Sequence, residues 1–131
     1  MRITGLYAAL AALLVIFLAA RVIRHRLSSG VGVGDGGDSD LIRRVRVHAN
    51  AVETLPIGLL LLLLVELNQT QPVVVHLFGI VLIVGRVLHA WGLSRHSGSS
   101  PGRAIGMVLT LLAMLGMALL LLWQFALATT I

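Results

Sequence analysis

Arg43-Arg44-Val45-Arg46-Val47-His48-Ala49-Asn50-Ala51-Val52-Glu53-Thr54-Leu55-Pro56 runs directly into an apolar stretch from Ile57 to Val65. Arg46, Asn50 and Glu53 are spaced i, i+4, i+7, so on a helix they project from one face. A polar stripe entering the membrane at the head of a hydrophobic helix is expensive, and such groups are kept for a partner, a ligand or an ion pathway. Two readings follow. In one, Arg43 and Arg46 snorkel at a juxtamembrane helix end, with Arg46 satisfied by Asn50 or Glu53. In the other, the stripe is a half-buried site for a small polar anion. Guanidinium forks then take carboxylates, the amide bonds a peptide group, and Glu53 accepts from an ammonium or holds an arginine. Pro56, three residues after Glu53, is placed to loosen the backbone beside the stripe.

The rest of the chain gives the stripe its setting. The 131 residues are 58% hydrophobic and only 11% charged, with a mean hydropathy of +1.01. A soluble domain carries roughly a quarter charged residues, so an integral membrane protein is expected. The chain is too short for more than one compact unit. Segments of roughly 20 apolar residues predict spanning helices over 3–20, 47–67, 72–93 and 103–130. The expectation is one all-α, four-span membrane bundle. Residues 21–41 are expected outside it as a loop, of which Ser28 to Asp40, rich in Gly, Ser and Asp, reads as mobile. Gly32, Gly34 and Gly37 satisfy a G-x-G-x-x-G pattern there, but no strand precedes them. Asp38, Ser39 or Asp40 can cap a helix opening at Leu41, and Pro72 suits the first turn of the third.

All ten basic residues are arginines, against five carboxylates. Arg21, Arg24, Arg26, Arg43, Arg44 and Arg46 flank the first connection, and Arg95, His96 and Arg103 the third. The positive-inside bias places both loops in the cytoplasm and both termini on the opposite side. Arginines beside hydrophobic segments are expected to set topology and meet anionic lipid rather than nucleic acid. The apolar part of the first span exceeds that of a signal peptide, so it is read as a retained helix. With no cysteine, any thiol chemistry comes from a ligand. The five histidines form no close i, i+4 pair, so no metal site is expected.

Arg86 and His89 stand i, i+3 apart on the third helix, followed by Trp91. Either Arg86 snorkels to the interface, or it turns inward to pair with Glu53 or a ligand carboxylate, with His89 donating to the same ligand. Arg103 opens the fourth helix within reach of such a site. Glu66 reads as a solvated helix end and Tyr7 as an interface aromatic. Gly102 and Gly106 fit the small-xxx-small spacing of packed membrane helices, supported by Gly79, Gly85, Gly92, Ala113 and Gly116.

Taken together, Asp35-Gly36-Gly37, Arg43-Arg44-x-Arg46, Asn50, Glu53 and Pro56, then Gly85-Arg86-x-x-His89-Ala90-x-Gly92, resemble the MAPEG family of membrane-associated proteins in eicosanoid and glutathione metabolism. The resemblance covers essentially the whole chain and is nearest to the small bacterial members. It implies a homotrimer of four-helix protomers in the bacterial inner membrane. Glutathione, as co-substrate, would lie between subunits near the cytoplasmic side and attack a lipophilic electrophile or hydroperoxide. Carried onto this chain, Arg46, Asn50 and Glu53 hold the tripeptide, with Arg43, Arg86 and His89 beside them, and Arg103 attends the thiolate. The chain departs from the pattern at Thr54, where family enzymes often carry tyrosine, and toward the end of the third helix, where tyrosines are absent. The alternative is a non-catalytic membrane protein of the same fold that binds a lipid or small anion. A small multidrug-type antiporter is disfavoured, since the first span lacks an embedded carboxylate.

Overall fold

The computed structural model describes residues 2–95 and 100–129. His96 and the rest of 96–99, in the third connection, lie outside the described residues, as does residue 130 at the end of the fourth expected span. Four helices follow in order: α1 Arg2–Ser29, α2 Ser39–Leu67, α3 Pro72–Arg95 and α4 Pro101–Thr129. Each is long and apolar enough to cross a membrane. The protein is an integral membrane four-helix bundle.

Short polar residues and prolines set the helix ends. Asp38 caps α2, its carboxylate accepting from the backbone N–H groups of Asp40 at 2.8 Å and Leu41 at 3.2 Å. The helix therefore opens at Ser39, ahead of the expected Leu41. Gly30 follows α1 with φ +70, the left-handed conformation that ends a helix without a Cβ penalty. Pro72 and Pro101 open α3 and α4, where the missing N–H costs nothing.

The helices overrun the apolar segments. Residues 21–29 and 39–41, expected as loop, are helical, leaving only 30–38 as the connection. Hydropathy marks where the lipid ends. Backbone hydrogen bonding continues beyond it, because arginine is a good helix former. Arg26 organises what remains: its Nη1 donates to the carbonyls of Gly34 at 2.9 Å, Val31 at 3.3 Å and Gly32 at 3.4 Å.

Helices α2 and α3 form the centre, with α1 packed on one flank and α4 on the other; among the described residues the backbones of α1 and α4 make no close approach. The closest approach is between α3 and α4. A Cβ on Gly92 would strike the backbone at Arg103, and one on Gly106 would strike the backbone of His89 and Gly85. Glycine lets the two backbones meet where lipid supplies no hydrophobic drive between helices. One apolar cluster gathers Ala11, Leu18, Val47, Ala51, Leu55, Ala90 and Leu93; a second gathers Tyr7, Leu62, Val65, Val75 and Met117. Leu13, Phe17, Leu122 and Trp123 face outward, as lipid-facing residues do.

Candidate functional site

The end of the bundle that holds Arg43 to Arg46 brings α2, α3 and the start of α4 together around a buried arginine. Arg86 is 1% exposed and His89 is 1% exposed. Arg86 Nη2 donates to Asn50 Oδ1 at 2.6 Å and lies 2.8 Å from His89 Nδ1. A guanidinium only donates, so Nδ1 is the acceptor and the neutral ring carries its proton on Nε2. Among the described residues that Nε2 has no partner, and neither have Arg86 Nε and Nη1. Asn50, its carbonyl oxygen engaged, keeps its amide N–H groups for something else. Thr54, at the place where the resemblance expects tyrosine, donates its hydroxyl to the backbone carbonyl of Asn50 at 2.8 Å.

Of the alternatives for Arg86, the inward position is the one found, but the pairing with Glu53 is not formed. Glu53 is exposed on α2, and Asn50 is the residue that turns toward α3. Three residues along a helix advance the side chain by about 300°, enough to swing Glu53 out of the contact Asn50 makes. Arg46 is likewise exposed and bonds neither Asn50 nor Glu53.

Two cavities open around His89. One, of about 370 Å³, is lined by Arg43, Arg46, Asn50, His89 and Arg103, with Ser39, Ile42 and Leu93. The other, of about 400 Å³, is lined by His89, Ser100, Arg103, Ala104 and Met107. Both fall in the size range of small-molecule sites. His89 and Arg103 border both, and among the described residues no carboxylate lines either. Arg43 Nη2 is held by Asp40 at 2.9 Å while its Nε is buried without a partner among the described residues. Of the candidate residues, the structure thus brings Arg43, Arg46, Asn50, His89 and Arg103 to one cavity. Arg86 stands behind it and Glu53 lies one turn beyond. Ser39 and Ser100 were not anticipated; both stand at helix starts, and capping preference is the only sequence signal either carries.

The opposite end corrects two expectations. Glu66 is no solvated helix end: its carboxylate accepts from the backbone N–H groups of Thr4 at 2.8 Å and Ile3 at 3.2 Å, holding the start of α1. Tyr7 is 4% exposed rather than interfacial. Its hydroxyl lies 2.8 Å from His76 Nδ1 and 3.1 Å from the His76 carbonyl, and its ring fills the space left by Gly79. A hydrophobicity profile registers an aromatic near a helix start but not the glycine opposite that admits it. Among the described residues, no three His, Asp or Glu side chains converge as metal ligands would.

A model of the MAPEG family matches residues 4–123. The chain is 41% identical to the inner membrane protein YecN of Escherichia coli K12 over 121 residues, covering 92% of this chain and 91% of the relative. It is 32% identical over 122 residues to protein sll1147 of Synechocystis PCC 6803, covering 92% and 88%. The four apolar helices, together with the inner-membrane relative, support an inner-membrane location. With the family pattern running from the first helix almost to the end of the fourth, the chain belongs to the MAPEG family.

Proposed function

We propose that this protein binds glutathione and activates its thiol for attack on lipophilic electrophiles or hydroperoxides. The observation that carries the reading is the cavity lined by the guanidinium groups of Arg43, Arg46 and Arg103, the amide of Asn50 and the ring of His89, where among the described residues no carboxylate joins the lining and only Arg43 of the five is paired with one, Asp40. Glutathione presents two carboxylates and two peptide groups, which such donors suit. Its ammonium needs an acceptor. Glu53 is exposed one turn further along the stripe, outside the cavity of a single copy. The reading therefore includes a homotrimer in which neighbouring copies complete the site.

Arg103 borders both the polar cavity and the one walled by Ala104 and Met107. A thiol of pKa about 8.5 is mostly protonated at pH 7, and a guanidinium beside the sulfur favours the thiolate. Each unit of depression takes about 1.4 kcal/mol of differential stabilisation, within reach of one arginine at a half-buried site. The lipophilic substrate would come from the bilayer, where it is already concentrated.

A second reading, binding without catalysis, is favoured by one observation. Tyr7, the only tyrosine, is engaged with His76 at the far end, so no phenol reaches either cavity. Equilibrium dialysis of detergent-purified protein with glutathione, wild type beside Arg46→Ala and Asn50→Ala, tests the site. Saturable binding weakened about tenfold or more in both variants, with trimer size and helicity unchanged, is the expected result; no binding by well-assembled wild type at millimolar glutathione sinks it. A haloarene-conjugation assay at neutral pH then separates enzyme from binder.

A further inference from the structure

On the α1 side of the same end, Arg21, Arg24, His25 and Ser28 of α1 and Arg44 of α2 line a separate recess of about 230 Å³. It shares no lining residue with the two cavities around His89. Every lining side chain is polar, three are guanidinium groups, and none is a carboxylate. The nearby carboxylates are already engaged. Asp38 lies 2.6 Å from His25 Nε2 and caps α2. Asp40 is shared by Arg43 at 2.9 Å and Arg44 at 2.8 Å. Arg21 donates to the Ser94 hydroxyl at 2.9 Å, a neutral acceptor that positions the guanidinium without cancelling its charge. Arg24 makes no hydrogen bond or ion pair among the described residues.

Depth adds a second argument. α1 has 28 residues, about 42 Å at 1.5 Å per residue, against a hydrocarbon core of about 30 Å. The excess of about 12 Å corresponds to about eight residues, Val22 to Ser29, so Arg24, His25 and Ser28 reach the level of the lipid phosphates with Arg21 at the boundary. We propose that this recess is a phosphate-binding site at the membrane surface. Arginine forks match phosphate oxygens two at a time, and guanidinium groups i, i+3 apart on α1 with a third from α2 close around a tetrahedral anion from two sides. The depth favours a lipid head group as the source over free phosphate.

The test is thermal unfolding of the purified protein in detergent, titrated with short-chain phosphatidic acid, short-chain phosphatidylcholine or inorganic phosphate at matched ionic strength. The proteins compared are wild type, Arg24→Gln, Arg44→Gln and a control, Arg95→Gln. Arg95 is on the same end but stacks over Trp91 at 4.4 Å, away from the recess. Phosphatidic acid is expected to raise Tm saturably in wild type and Arg95→Gln, with half-saturation moved at least about tenfold in Arg24→Gln and Arg44→Gln. Phosphatidylcholine, whose phosphate is neutralised by choline, should act more weakly. If inorganic phosphate reproduces the shift with the same sensitivity to Arg24, the site stands and its source is the free ion. No saturable response to either anion, or equal loss of response in Arg95→Gln, overturns the proposal in favour of a diffuse basic surface. Arg24 has no partner to lose, so failure of Arg24→Gln to change the response also overturns it.

Discussion

The end of the bundle at which α1 starts and the end at which it finishes treat their polar side chains differently. At the first, groups answer one another. Glu66 takes the N–H groups of Ile3 and Thr4, Tyr7 meets His76, and Asn68 donates to Gln124, which donates to Thr70, each at 2.9 Å. Among the described residues only Thr4 Oγ1 is left over there. At the second, buried donors of Arg43, Arg86 and His89 have no partner among the described residues, and Arg46 and Arg24 are exposed. A buried donor left unsatisfied costs about 1–3 kcal/mol. An arrangement that holds several such donors beside two cavities gives up stability that a bound anion would restore, while the other end only has to hold helices together.

Substitutions can break that contrast. The largest effect is expected from Gly106→Val, which drives a branched side chain into the α3 backbone at His89. A loss of about 3 kcal/mol, with collapse of the site end, should appear as a sharp drop in Tm by circular dichroism. Next come two variants that separate the ends. Glu66→Ala removes an ionised acceptor from two backbone donors, and should cost about 2 kcal/mol of stability while glutathione affinity stays within about twofold. Arg46→Ala should do the reverse, weakening glutathione about tenfold, or about 1.4 kcal/mol, with little change in Tm. If Glu66→Ala weakens binding as much as Arg46→Ala does, the two ends are not independent.

A smaller effect is expected from Tyr7→Phe. It strips a hydroxyl from His76 and should cost about 1 kcal/mol without affecting binding, read by the same melts. The smallest concerns acid. The bond from His25 and the backbone N–H groups of Leu41 and Asp40 hold the Asp38 carboxyl below the usual aspartate range. A depressed folded-state pKa contributes stability that is present above the ordinary value of about 3.9 and is lost as pH falls through the depressed one. Tm should therefore fall as pH drops below about 4–5, and Asp38→Asn, which keeps a capping oxygen, should flatten that limb. An unchanged acid limb would place the acid sensitivity elsewhere.

The fold was largely legible, because four long apolar runs separated by polar breaks leave few alternatives in a bilayer. The stripe was legible too, since i, i+4, i+7 spacing on a helix needs no tertiary information. Which members of the stripe face inward was not. Arg46 and Asn50 line the cavity, whereas Glu53 looks out and Arg86, from another helix, takes the partner expected for Arg46. Glu66 and Tyr7 were misread for the same reason, since their partners lie more than sixty residues away.

Composition and periodicity by themselves determined that the chain spans a membrane with four helices, that it can supply no thiol of its own, and that its cations concentrate at one end. Those properties follow from how single residues partition between water and lipid and from the geometry of one helix. Only the tertiary structure decided that Asn50 serves Arg86 and that His89 presents a free N–H. It alone also decided that Arg103 stands between two cavities and that Arg21, Arg24 and Arg44 surround a third. These depend on helix rotation and on the depth to which glycines let α3 and α4 close, and both are set by packing between segments that no local pattern records.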